Sequence, residues 1–266
     1  MVIGKALTIA GSDCGGGAGI QADLKTFQER DVYGMSVITV LTAQNTLGVH
    51  GVYPQTVETI EAQLDAIYQD IGTDAVKTGM LFSEEIINLV SKKLKEYEVR
   101  NIVIDPVMIA KGGAPLLQKQ AMNALKNNLL PLATVITPNL PEACEILDIS
   151  KIETVQEMEE AAANIQQLGP NNVVLKGGHL EGSRTAVDIL FDGEEFHYFE
   201  SKRIDTIHTH GTGCTFAAAI TAELAKGKSM KEAVTTAKQF IQSAIEHSLN
   251  IGKGIGPTNH SALRHN

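Results

Sequence analysis

Short runs rich in β-branched residues alternate with longer segments of helical period along almost the whole chain, and no other feature restricts the fold as much. KALTIAG (5–11), SVITVLTAQN (36–45), AVKTGML (75–81), NIVIDPVM (101–108), ATVITPN (133–139) and NVVLKGG (172–178) read as strands. Between them, residues 59–71, 84–97 and 155–168 are amphipathic and long enough to cross from one parallel strand to the next. In AVDILFDGEEFHYFES (186–201), Asp192-Gly193 separates two alternating runs and predicts a hairpin. A last helix opens at Ser229 with Glu232 three residues on, a capping box, and Ala233, Ala237, Ile241 and Ala244 along one side should pack on the sheet. The pattern is that of an α/β fold on a mostly parallel sheet. No repeat, low-complexity tract or linker-like shift divides it, so one domain over 1–266 is expected.

Composition removes several functions. With 43% apolar content in 266 residues the chain can bury one large core. A formal charge of −9, no Trp and few other aromatics leave neither the basic footprint nor the stacking platforms that nucleic acid requires. The opening MVIGKALTIAGSDCGGG breaks at glycine too early for a signal peptide or a membrane span, so a cytoplasmic protein is expected. Cys14, Cys144 and Cys214 are odd in number and form no C-x-x-C pair, which predicts free thiols rather than a disulfide framework or structural zinc.

In an open parallel sheet, ligands bind beyond the carboxyl ends of the strands. Asp105, Asn139 and Lys176 stand at such ends, and Glu142 follows in NLPEA. Each alone could cap a helix or turn the chain. Together they suit a nucleotide with hydrated Mg²⁺, the lysine neutralising phosphate charge. THGTGCTFAAAI (209–220) runs from a glycine-punctuated turn into an apolar helix, whose unpaired N–H groups and positive dipole end gather anions. GSDCGGGAGIQAD (11–23) has no G-x-G-x-x-G spacing, and GKS (227–229) lacks the upstream glycine of a P-loop. The glycine-rich stretch therefore predicts a mobile loop that approaches a ligand closely, and GTGC is the better anion cradle.

The ordered set GSD…GGGAGIQAD, DPVM, TPNLPEA, KGGH and THGTGC resembles the ribokinase-like small-molecule kinases over nearly the whole chain. Within that superfamily the chain resembles the hydroxymethylpyrimidine and phosphomethylpyrimidine kinases of thiamine synthesis, with pyridoxal kinases of the same cysteine-bearing branch close behind. The resemblance implies a three-layer sandwich with helices on both faces of the sheet, and a homodimer. It implies ATP as co-substrate with Mg²⁺, and phosphorylation of 4-amino-5-hydroxymethyl-2-methylpyrimidine and then of its monophosphate. Pyridoxal or pyridoxine phosphorylation is the alternative.

The resemblance also assigns residues. The substrate pocket falls on Gly11, Asp23, Gln44, Met80 and Val107, and the nucleotide side on Asn139, Lys176, Thr212 and Lys238. Asp105 and Glu142 would act on Mg²⁺ through water. Gly211, Thr212 and Gly213 would form an anion hole beside Cys214, in a catalytic position where most of the superfamily carries Asp. A thiol at a helix N-terminus is expected to have a lowered pKa. A two-step kinase gives one reason for cysteine, since a carboxylate would repel the monophosphate acceptor whereas a thiol can be neutral in one step and charged in the other.

Gln44, in TAQNT at a strand end, is the expected reader of the ring. An aminopyrimidine sets a ring-nitrogen acceptor beside an amine donor, and a carboxamide matches the pair, much as Gln reads adenine. Pyridoxal offers no such pair. Two other readings compete: a metal site on His208, His210 and Cys214, which lacks a further ligand at metal spacing, and a protein that binds a pyrimidine without turning it over.

Overall fold

Strand β1 (Lys5–Asp13) is buried along nearly its whole length, as only a strand inside a sheet covered on both faces can be. The structure is a computed structural model that describes residues 3–109, 116–118, 120–178, 180 and 185–265. His179 of the KGGH motif lies outside them. After β1 come α1 (Gly19–Glu29), β2 (Tyr33–Asn45), β3 (Gly48–Pro54), α2 (Val57–Tyr68), β4 (Ala75–Thr78), α3 (Glu84–Glu96) and β5 (Ile102–Ile104). Then follow α4 (Ala121–Ala124), a π-helical turn (Leu125–Leu129), β6 (Val135–Ile136), α5 (Leu140–Leu147), α6 (Val155–Gln166) and β7 (Asn172–Lys176). The hairpin β8 (Thr185–Phe191) and β9 (Phe196–Lys202) leads to α7 (Thr212–Ala225) and α8 (Met230–Glu246).

The strands form one sheet in the order β3-β2-β1-β4-β5-β6-β7-β8-β9. Strands β2, β1, β4, β5, β6 and β7 are parallel, while β3 and β8 run against their neighbours. Period-2 alternation divides the core. Ile102 and Ile104 pack under α2 to α6, whereas Val103 between them faces α7 and α8. Helix α7 is buried on nearly every side, and Ala217, Ala218, Ala219 and Ala222 let it lie close to the strands. Ser229 and Glu232 form the expected capping box, and Ala233, Ala237, Ile241 and Ala244 are buried.

Two local features add to the sequence reading, which assigned nothing to residues 48–54. Residues 48–54 form β3, which extends the sheet beyond β2 as an antiparallel edge. The glycine-rich stretch, expected as a mobile loop, is drawn into a turn by hydrogen bonds. Asp13 Oδ1 accepts from Gly15 N at 2.8 Å, and Oδ2 accepts from Gly17 N at 3.0 Å and Ala18 N at 2.9 Å. One carboxylate thus gathers three amides that no strand or helix would otherwise satisfy.

Candidate functional site

The sheet switches direction between β1 and β4, since successive strands depart to opposite sides of that pair, and a crevice opens there beyond the strand ends. A cavity of about 160 Å³ fills it. Gly11, Gln44, Met80 and Val107 line the cavity, as do Asp105, Asn139, Glu142, Lys176 and the run from Gly211 to Cys214. A wider groove of about 740 Å³ shares Asn139, Lys176, Thr212 and Gly213 with it and continues past Asp188, Phe216 and Lys238. The two compartments therefore meet at Lys176 and the start of α7.

Gly211 caps α7 with φ +81°, and a Cβ there would overlap Gly17 O, so glycine is required on both counts. Thr212 N–H turns back to Thr209 O at 3.3 Å, and Thr215 N–H donates to Gly211 O at 2.9 Å. Gly213 and Cys214, between them, carry amides for which a helix start offers no intrahelical acceptor. A side chain at Gly213 would extend towards Lys176 Nζ at 3.4 Å and the Asp105 carboxylate at 3.8 Å. The space it leaves is open to an anion between the helix dipole and a lysine.

The thiol of Cys214 departs from expectation. Burial raises its pKa most, Lys77 lowers it, and the carboxylates of Asp23 and Asp105 raise it again, so that it is pushed up to about 11. Helix-end stabilisation of a thiolate is outweighed here because the side chain is largely enclosed and two carboxylates lie close by.

Asp105 and Glu142 face each other electrostatically across Lys176. Asp105 Oδ1 lies 3.4 Å from Lys176 Nζ and 3.5 Å from Thr137 Oγ1, while Oδ2 is buried without a hydrogen bond. Burial first, and then Asp105, push Glu142 up to about 7 against the opposing pull of Lys176. Two carboxylates, one with an unsatisfied oxygen, form a donor set that fits a hydrated Mg²⁺. Among the described residues no three His, Cys, Asp or Glu side chains converge on a common metal position. Asn139 and Glu142 also carry the plain structural role: Asn139 Oδ1 accepts from Glu142 N at 2.9 Å, and Glu142 Oε2 accepts from Asn139 N at 2.8 Å.

Asp23 is corrected. It is fully buried and lines neither compartment; both its oxygens sit 2.9 Å from Lys77 Nζ, and Oδ2 accepts from Thr8 Oγ1 at 2.6 Å. It reaches the cavity only through Lys77, which lines it. Lys238 borders the groove and not the cavity, bonded to Asp188 Oδ2 at 2.6 Å.

Lys77 and Asp188 had not been expected. A lysine inside the apolar strand AVKTGML was the available signal for Lys77, because a parallel strand covered on both faces has no solvent side for it. Burial would depress its ammonium, but Asp23, Cys214 and Asp105 together raise it. Asp188 gives no such signal. His210 is not beside a metal ligand set: its Nε2 lies 2.8 Å from Asp13 Oδ2 and 3.3 Å from the Gln44 carboxamide. His208 Nδ1 instead accepts from Gly256 N at 3.2 Å.

The model of the phosphomethylpyrimidine kinase family matches residues 13–259. The hydroxymethylpyrimidine/phosphomethylpyrimidine kinase of Bacillus subtilis is 53% identical over 100% of this chain and 98% of its own length. The pyridoxine kinase of the same organism is also 53% identical, over 100% of this chain and 99% of its own. The ADP complex of Bacillus subtilis pyridoxal kinase superposes with a TM-score of 0.92 at 51% identity, with all of both chains covered. With a family model spanning most of its length and relatives of this identity, the chain belongs to the phosphomethylpyrimidine kinase family.

Proposed function

We propose that this kinase transfers the γ-phosphoryl group of ATP to the hydroxymethyl group of 4-amino-5-hydroxymethyl-2-methylpyrimidine, and then a second group to the monophosphate, on one domain spanning 1–266. The observation that carries the reading is the meeting of a small ring-sized cavity and a longer groove at Lys176 and Gly213. An acceptor in the first and a nucleotide in the second would place donor and acceptor at one anion seat, and phosphoryl transfer needs little beyond that positioning and charge neutralisation.

Gly11, Met80 and Val107 form the apolar part of the acceptor wall, and Gln44 supplies its paired donor and acceptor. Lys176 neutralises donor phosphate charge, the amides of Gly213 and Cys214 hold the transferring group, and Asn139, Thr212 and Lys238 border the nucleotide. Asp105 and Glu142 would hold Mg²⁺ through its waters, where the ion screens the phosphates from both carboxylates. Only the minor thiolate form of Cys214, steadied by the buried Lys77 ammonium, takes the alcohol proton as transfer advances, and it becomes the neutral thiol in doing so. Mostly a neutral thiol, Cys214 does not repel the monophosphate acceptor.

Equal identity to a pyrimidine kinase and to a pyridoxine kinase gives the second reading, pyridoxal phosphorylation, its weight. Gln44 on the cavity wall favours the pyrimidine. Initial rates with hydroxymethylpyrimidine, its monophosphate and pyridoxal under Mg²⁺-ATP test the reading. Higher kcat/KM on both pyrimidines is expected; a preference for pyridoxal would overturn it.

A homodimer is part of the proposal. Exposed Leu41, Leu47 and Tyr53 on the β2–β3 edge support it, because a second copy would cover them. No helix among the described residues is long and apolar enough to cross a membrane.

A further inference from the structure

The atoms around Gln44 decide which way round its carboxamide stands. Oxygen and nitrogen of such a group are alike in shape, so neighbouring donors and acceptors distinguish them. His210 Nε2 lies 2.8 Å from Asp13 Oδ2, and that carboxylate already accepts hydrogens from three backbone amides. An ionised carboxylate can only accept, so Nε2 carries the proton. With Gln44 Nε2 nearest His210, at 3.3 Å, two donors would face each other. On the other side Thr42 gives its single hydroxyl proton to Ser12 O at 2.7 Å. With Gln44 Oε1 nearest Thr42 Oγ1, at 3.3 Å, two acceptors would meet. Half a turn of the carboxamide suits both sides: Oε1 shares, as the longer arm of a three-centre bond, the single Nε2 hydrogen that His210 gives Asp13, and Nε2 donates to Thr42.

We propose that Asp13 and His210, opposed by Ser12 and Thr42, are positioning residues that fix the orientation of the Gln44 carboxamide and so determine which way round the pyrimidine lies. The proposal rests on Gln44 as the ring reader. The outer lone pair and outer hydrogen of the amide are taken by His210 and Thr42, which leaves its front edge for the ligand. That edge then presents oxygen on the His210 side and N–H on the Thr42 side. The ring amine must lie towards His210 and the ring nitrogen towards Thr42. The hydroxymethyl group sits on the ring carbon beyond the amine, so it too is directed to the His210 side, and His210 leads straight into Gly211–Cys214. A reversed amide would turn the reacting alcohol away from the anion hole.

The imidazole is held to this task. Its ring packs on Gly17, where any side chain would collide with it. Its backbone is clamped on both sides, His210 N–H donating to Gly256 O at 3.0 Å and Thr258 N–H to His210 O at 3.2 Å.

The test compares kcat/KM for hydroxymethylpyrimidine with that for pyridoxal, under Mg²⁺-ATP, in full-length His210→Leu, His210→Gln, Thr42→Val and Gln44→Met. His210→Leu and Thr42→Val are each expected to lower the ratio roughly tenfold, the size of one lost oriented base contact, with the KM for ATP little changed. His210→Gln keeps the ratio, because its amide nitrogen has hydrogens for both Asp13 and Gln44. In the Gln44→Met background, His210→Leu lowers the ratio no further. If Gln44→Met lowers the ratio while His210→Leu or Thr42→Val leaves it unchanged, the positioning role is overturned and the ring reading stands. Equal losses in His210→Gln and His210→Leu overturn it as well. A ratio unaffected by Gln44→Met removes the ring reading and this inference together. Should His210→Leu fail to fold, Thr42→Val decides alone.

Discussion

At Cys214 the decisive quantity is the free energy of its proton. Burial, aided by Asp23 and Asp105 against the opposing pull of Lys77, pushes the thiol up to about 11, so it is mostly neutral at pH 7 and only its minor thiolate form can take the alcohol proton. Cys214→Ala is expected to lower turnover on the alcohol by roughly 10²–10⁴, with a smaller loss on the monophosphate, whose attack needs no base. The alcohol rate should also climb as pH rises towards 11, a limb absent with the monophosphate; equal losses and equal profiles in steady-state assays would remove Cys214 as base. Glu142 carries the opposite lesson. Its folded-state pKa stands near 7, above the ordinary 4.5, so its ionisation weakens the metal-free fold as pH rises from about 4.5 through 7. Glu142→Gln keeps the oxygen that accepts from Asn139 N and should raise Tm by roughly 2–4 °C at pH 8 but not at pH 4, without Mg²⁺. The same variant should need more Mg²⁺ for half-maximal rate, with little change in pyrimidine KM; an unchanged metal titration removes Glu142 from that role.

Among the elements, β4 and α1 are joined by charge in the core. Lys77 and Asp23 have 0% side-chain exposure and lie 2.9 Å apart, with Thr8 of β1 completing the carboxylate's bonds. Removing one partner strands the other, so Lys77→Met should destabilise by about 3–5 kcal/mol in urea unfolding. The double variant Asp23→Asn with Lys77→Met should lose far less than the two single losses added. Additive losses would show that the pair acts separately. Capping was readable at this scale, because Ser229 with Glu232 and Asn139 with Glu142 need only residues three apart. Lys77 was readable only as a lysine out of place, since its partner lies 54 positions away.

Over the whole molecule, the two edges of the sheet differ. β9 exposes Tyr198 but sets the charges of Glu200 and Lys202 beside it, which discourage pairing, whereas the β2–β3 edge exposes Leu41, Leu47 and Tyr53. If a second copy covers that edge, Leu47→Glu, which sets a charge at a residue 65% exposed in one chain, should shift sedimentation from two chains towards one. A mass of one chain for the unaltered protein would refute the homodimer. The sheet order also explains the site, since the crevice exists only where β1 and β4 send their connections to opposite sides.

Local chemistry along the chain was enough for every strand but β3, for α2, α3, α6 and α8, for the Asp192-Gly193 hairpin and for the glycine-led start of α7, because alternation, caps and turns act between near neighbours. It was also enough to bring Gln44, Asp105, Asn139 and Lys176, at strand ends, under suspicion, whereas Gly11, Met80 and Val107 came only with the family resemblance. Only the tertiary structure decided that β3 closes the sheet edge, that Asp23 stands behind the cavity wall, that Asp13 pins the glycine-rich turn, and that Cys214 keeps its proton. The last three depend on groups enclosed together and charges assembled from distant parts of the chain, and desolvation and Coulomb energies are set by distances in space, not by spacing along the sequence.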